Sequence, residues 1–223
     1  FIAVSNVKKT GRAAAVIRAG YERVLRARLD DATFYFEQDQ REKLSDRVER
    51  LKGVVFQERL GTVYEKVERL VALCGWLAPL FDVEREAAER AARLCKADLT
   101  TGMVREFPEL QGVMGREYAQ RQQEPDEVAG AIGEHYRPRF AGDDIPARPL
   151  AQLLAVADKI DTIARCFGAG LIPSGSQDPY ALRRQGVGVV HILRQRPVVS
   201  LSALLARAAL AGTDTAPIKE FFC

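Results

Sequence analysis

Apolar residues that recur at intervals of three and four, in one segment after another, constrain this chain more than any other feature. Val24, Leu25 and Leu29 keep that spacing, and Phe34, Tyr35 and Phe36 continue the apolar content. A second run from Ser45 puts Val48, Leu51, Val54, Val55 and Leu60 on one face if it is helical. Ala88, Ala91, Leu94 and Cys95 form a third stripe, and Leu150 to Phe167 reads as an amphipathic helix. This is the period of a helix with one buried face, so the chain is expected to be mostly α.

Start and stop signals divide the pattern. Asp82 is placed to cap a helix running to about Arg105. Pro125 with Asp126 and Glu127 suits a first turn, and that helix should end near Pro138. Asp178-Pro179 is a capping acid followed by proline at the first helical position, opening a helix to about Gln195. Gly168 to Gln177 is a loop rich in Gly, Ser and Pro, with Gly168, Gly170 and Gly175 as candidates for positive φ. Residues 1–19 hold a short apolar strand, then Lys8-Lys9-Thr10-Gly11-Arg12. The first residues carry no initiator Met and no signal-peptide layout, so a fragment of a longer polypeptide is expected.

Composition excludes several classes. No apolar run approaches the roughly 18 residues that a membrane span needs. Cys74, Cys95, Cys166 and Cys223 show no CxxC spacing, and neither of the two histidines stands near a cysteine pair. The cysteines therefore read as small hydrophobes in a reducing compartment, and a zinc site is not expected. No Gly-rich phosphate loop followed by Lys-Ser or Lys-Thr is present.

Three carboxylates lie on apolar stripes. Asp98 follows Leu94 by four and Cys95 by three; Asp158 follows Leu154 by four; Asp161 follows Ala157 by four. His135 follows Ala131 by four and also faces inward, and His191 on the last long helix reads the same way. A buried carboxylate needs a cation, a donor or a metal. The functional reading is a divalent-metal or phosphate-chemistry site. The structural reading is pairing with Lys96, Lys159, Arg165 or helix N-termini.

Several strings together resemble one family. They are Glu22-Arg23-Val24-Leu25-Arg26-Ala27-Arg28-Leu29, Asp46-Arg47-Val48-Glu49-Arg50-Leu51-Lys52, Lys96-Ala97-Asp98-Leu99, Glu106-Phe107-Pro108-Glu109-Leu110-Gln111-Gly112, Ala157-Asp158-Lys159-Ile160-Asp161 and Asp178-Pro179-Tyr180-Ala181-Leu182-Arg183-Arg184. The chain resembles the beta subunit of bacterial heterotetrameric glycyl-tRNA synthetase from about residue 1 to 195. The resemblance implies a cytoplasmic α2β2 aminoacyl-tRNA ligase. Its alpha subunit activates glycine with ATP, and its beta subunit captures and positions tRNA(Gly). It also implies a helical HD-like domain over 45–195. Residues 1–44 would end an upstream module, and 196–223 would be a linker or the start of another helical module.

Working HD proteins hold metals with histidines and aspartates and hydrolyse phosphate esters. This chain has Ala97-Asp98 where such a protein shows His-Asp. Asp98, His135, Asp158 and Asp161 are then a degenerate site, with no metal, no cofactor and no catalytic residue expected in the chain. Two rivals stand beside the tRNA-positioning reading: a metal-dependent HD-type phosphohydrolase and a purely structural helical spacer. The clearest charge asymmetry lies between Pro179 and Gly212, where Arg183, Arg184, Arg194, Arg196 and Arg207 meet no Asp or Glu. Arg183, Arg184, Arg194 and Arg196 are therefore the candidate tRNA contacts, with pairing of Arg183 or Arg184 to Asp158 or Asp161 as the structural alternative.

Overall fold

A computed structural model describes residues 1–4, 6, 11–140, 142–175, 177–209 and 214–222. Eleven helices are found among the described residues: α1 Gly11–Asp39, α2 Leu44–Arg47, α3 Val63–Leu77, α4 Arg85–Leu94, α5 Gly102–Glu106, α6 Val113–Arg121, α7 Asp126–Glu134, α8 Pro149–Gly168, α9 Leu182–Gln195, α10 Leu201–Ala208 and α11 Ala216–Phe221. One antiparallel hairpin, β1 Val55–Gln57 and β2 Gly61–Thr62, stands between α2 and α3. The fold is mostly α, as the periodicity predicts.

Helix α8 is the axis of the molecule. From Leu150 to Ala164 every residue is buried, so it is a core helix rather than the amphipathic one expected. The reason is its surroundings: α3, α4, α7, α9, α10 and α11 all pack against it. A helix covered on all sides can be apolar all round, and Leu153, Leu154, Val156, Ile160 and Ile163 are fully enclosed. Both α10 and α11 belong to the same packing, with Phe221 edge-on to Phe167 of α8.

Helix starts follow local chemistry. Thr62 and Glu65 form a reciprocal capping box at the start of α3. Thr101 accepts from the Val104 amide and opens α5, and Ser200 does the same for α10 through Ala203. The Asp39 carboxylate, at the end of α1, accepts from the amides of Gly102 and Met103 and from the Tyr118 hydroxyl. It thus pins α1 to the N-terminus of α5, where negative charge is favoured.

Several sequence expectations are corrected. Residues 1–4 form no strand; the hairpin lies at 55–62 instead. The run from Ser45 is not one helical face, because α2 gives way to a 3-10 turn at Val48–Gly53 and then to the hairpin, leaving Val55 exposed. Asp82 caps nothing: its φ is 55°, and Glu84 takes the N-cap position of α4. The helix expected through Arg105 breaks after Leu94 into a 3-10 turn at Ala97–Thr100, and α5 begins anew at the Thr101 cap. A Thr hydroxyl that bonds locally competes with continuation of a helix. Pro125 precedes α7 as expected, but that helix ends at Glu134 rather than near Pro138. Asp178 does cap a helix, yet α9 starts at Leu182, because the carboxylate reaches past Pro179 to the amides of Leu182 and Arg183. In the loop between α8 and Asp178, Gly170 and Gly175 have positive φ, whereas Gly168 closes α8. Cys74, Cys95 and Cys166 are buried free thiols; Cys223 lies outside the described residues.

Candidate functional site

The inward-facing acids predicted from spacing do lie inside, but not as one site: Asp158 and Asp161 share Lys66, and Asp98 has partners of its own. Asp158 sits on α8 where α3, α7 and the turn after α4 converge. Its Oδ2 accepts from Lys96 Nζ at 2.8 Å, and its Oδ1 faces Lys66 Nζ at 3.0 Å as an ion pair outside hydrogen-bond alignment. The two ammonium groups hold this carboxyl well below the usual carboxylate range, against the opposing effect of burial. Lys66 also donates to Thr162 Oγ1 at 2.7 Å and to the Asp158 carbonyl at 3.2 Å.

His135, immediately after α7, completes this station. Its Nδ1 lies 2.7 Å from the Ile132 carbonyl, and Lys96 Nζ lies 2.8 Å from its Nε2. A carbonyl can only accept and an ammonium can only donate. Nδ1 therefore carries the proton, and Nε2 offers its lone pair to Lys96. Burial, reinforced by Lys96, keeps this imidazole neutral by moving its pKa well below 6.5. The Lys96 ammonium also lies 3.9 Å from the centre of the Tyr136 ring, a cation–π contact.

Asp161 is one helical turn away and shares Lys66 with Asp158, adding Arg69. Arg69 donates to it twice, from Nε at 2.7 Å and Nη2 at 3.1 Å, and Lys66 approaches at 3.3 Å. Asp98 stands apart from both. Its Oδ2 accepts from the amides of Gly112 at 2.6 Å and Gly115 at 3.2 Å, at the start of α6. A Cβ on residue 115 would meet Ile132 at 2.7 Å and Asp98 Oδ2 at 3.1 Å, so glycine there allows α6 to close on both. Burial raises the Asp98 carboxyl to about 6, with the two amides and Lys96 pulling the other way.

This arrangement does not suit a metal. Both oxygens of Asp158 face ammonium groups, the free nitrogen of His135 accepts from one of them, and Asp98 spends its bonded oxygen on a helix terminus. Among the described residues no group of three His, Cys, Asp or Glu side chains is placed to hold an ion. Lys96 occupies the position between His135 and Asp158 that a cation would need. A two-metal hydrolytic centre requires open coordination positions and several such donors, which these residues do not supply.

Above Asp158 opens a cleft of about 590 Å³. Lys66, Lys96 and Lys159 contribute to its floor, and Arg139 and Arg184 to its lining. Lys159 donates to the carbonyls of His135 at 3.1 Å and Arg137 at 2.7 Å. Burial, together with Lys96 and Lys66, brings its ammonium down to about 8 despite the Asp158 charge.

The four arginines proposed from charge asymmetry part company. Arg183 and Arg194 are exposed on α9 and border a second hollow of about 330 Å³ with His191. Arg184 turns instead to the cleft above Asp158. Neither Arg183 nor Arg184 pairs with Asp158 or Asp161, which other cations hold. Arg196 folds back on the core, donating to Gln152 Oε1 at 3.1 Å and to the Phe81 carbonyl at 3.2 Å. Sequence reasoning missed Lys66, Arg69 and Arg139. Lys66 was within reach of the same spacing rule, since it lies three residues after Val63 and four before Leu70.

Comparison with known proteins agrees with the strings that tie the chain to one family. The chain is 55% identical over 210 residues to a protein of Geobacter sulfurreducens named glycine–tRNA ligase beta subunit, covering 92% of this chain and 31% of that one. A Neisseria meningitidis protein of the same name is 49% identical over 195 residues, covering 87% of this chain and 28% of the relative. One from Desulforapulum autotrophicum is 47% identical over 223 residues, 99% of this chain and 32% of the relative. The chain thus spans about a third of the length of these curated relatives. The family model described as glycyl-tRNA synthetase beta subunit matches residues 1–223, and the chain belongs to that family.

Proposed function

We propose that the chain takes part in glycyl-tRNA formation as a non-catalytic portion of the beta subunit that holds tRNA(Gly) while the alpha subunit activates glycine with ATP in a cytoplasmic α2β2 enzyme. The observation that carries the reading is the pair Arg183 and Arg194. These exposed guanidinium groups share one face of α9 and one hollow, and no ion pair within the described residues engages them. They are eleven residues apart, about three turns at 3.6 residues per turn. Arginine presents a planar fork that fits phosphate. The ammonium-filled site at Asp158 supports the non-catalytic part of the reading, and it speaks against the phosphohydrolase alternative.

The test is tRNA(Gly) affinity over a range of salt concentrations. The beta subunit and its Arg183→Ala/Arg194→Ala variant are compared. If both groups contact phosphates, the variant loses affinity at low salt, and the slope of log K against log salt becomes shallower by about 2. Equal affinity and equal slope in a variant that still folds would leave a structural spacer as the better account.

A further inference from the structure

The cleft above Asp158 is lined by more cationic than anionic side chains. Five cationic side chains line it, Lys66, Lys96, Arg139, Lys159 and Arg184, against the two carboxylates Glu109 and Asp158. Asp158 is shared between Lys66 and Lys96, and Asp161 holds Lys66 from behind. Lys159 has only carbonyl oxygens as acceptors, and the side chains of Arg139 and Arg184 have no ion-pair or hydrogen-bond partner among the described residues. A cationic floor under two unengaged guanidinium groups leaves positive charge to be met from outside. The remaining walls include Phe56, Leu99 and Tyr180, which offer flat and apolar surface. A cleft of about 590 Å³ is of a size that takes a small organic ligand.

We propose that this cleft receives the phosphate of a single nucleotide and holds it without cleaving it, the base or sugar lying against the apolar wall. The phosphate meets Arg139 and Arg184 as charge-assisted hydrogen bonds. The sugar or base meets Tyr180, since every base has a face that stacks on an aromatic ring. Cleavage is absent because Asp158 and His135 have their accepting atoms occupied by Lys96 and Lys66, leaving neither a metal cradle nor a free general base. A free nucleotide and a nucleotide within an RNA strand present the same chemistry here. The Arg183–Arg194 hollow uses different guanidinium groups, so the two surfaces fail or hold separately.

The experiment is calorimetric titration of the intact beta subunit with adenosine 5′-monophosphate, adenosine, and a short single-stranded RNA. The monophosphate should bind at least about tenfold more tightly than the nucleoside. The Arg139→Ala/Arg184→Ala variant, altered only at exposed positions, should lose about tenfold or more in affinity for the monophosphate. The Arg183→Ala/Arg194→Ala variant should bind the monophosphate as the parent does. RNA affinity that falls in the Arg139→Ala/Arg184→Ala variant and holds in the Arg183→Ala/Arg194→Ala variant assigns the cleft to a strand, and loss of monophosphate binding alone assigns it to a free nucleotide; either supports the proposal. Equal affinity for nucleoside and monophosphate, no binding of any probe, no effect of the Arg139→Ala/Arg184→Ala change, or release of inorganic phosphate would overturn it.

Discussion

Three aspartates define how this chain uses charge at the level of single residues. Asp39, Asp98 and Asp178 each accept backbone amides at the start of a helix distant from their own or next in sequence: α5, α6 and α9. Asp98 is the most enclosed, and burial raises its carboxyl from 3.8 to about 6. The fold therefore favours the protonated form. That contribution is complete below 3.8 and is lost as pH rises through about 6. Asparagine keeps an accepting oxygen and cannot ionise. Asp98→Asn should accordingly gain on the parent as pH rises from about 4 to about 7, by up to about 3 kcal/mol, and level off above. Urea unfolding of both proteins across that range checks this, and parallel pH profiles would exclude it. Asp98→Ala removes the acceptor altogether and should cost about 1–3 kcal/mol. That Asp98, Asp158, Asp161 and His135 face inward was legible from intervals of three and four. Part of the pairing was legible too: Lys96 holds Asp158, the N-terminal amides of α6 hold Asp98 and Arg165 lies 3.8 Å from Asp161. Lys66 and Arg69 were not, because they come from α3, and spacing within one helix says nothing about what packs against it.

At the scale of elements, the sequence marked helix interiors better than their ends. The stripe Ala88, Ala91, Leu94 and the stretch from Leu150 to Phe167 are helical as read, while the break at Thr101 comes from a local hydroxyl cap and the start at Leu182 from a carboxylate that reaches past Pro179. The hairpin at 55–62 was hidden because Val48, Leu51, Val54 and Val55 satisfy a helical template over so short a run. Helix α1 shows why periodicity does not measure burial. Val24, Leu25, Leu29 and Phe34 keep helical spacing, yet Leu29 is 58% exposed, whereas Leu70 of α3 is fully buried. Leu70→Ala should therefore cost about 2–5 kcal/mol through lost burial and a residual cavity. Leu29→Ala should stay within about 0.5 kcal/mol in this chain. Thermal unfolding of the two variants side by side decides it; comparable losses would mean that α1 is packed more deeply than its exposure indicates.

For the molecule as a whole, the Asp158 station is where the architecture closes. Lys66 reaches it from α3, Lys96 from the turn after α4, His135 from the end of α7, and Asp158 itself from the axial helix α8. All four residues are at least nine-tenths buried, with Lys66 at 2% and Lys96 at 4% exposure. Removing one charge from such a group strands the others, which costs far more than the net contribution of the intact set. Asp158→Asn keeps an oxygen that can accept from Lys96 but removes the negative charge that Lys96 and Lys66 share, and it deprives Lys66 of one of its two carboxylates. The expected loss is about 3–5 kcal/mol. Because the four elements meet there, the loss should fall on all of them together. Hydrogen exchange of the variant should show α3, α7 and α8 losing protection by the same amount, in one cooperative opening. Weakening confined to α8, or a loss below about 1 kcal/mol of the kind expected from an exposed ion pair, would show that the cluster fills space without holding the elements together.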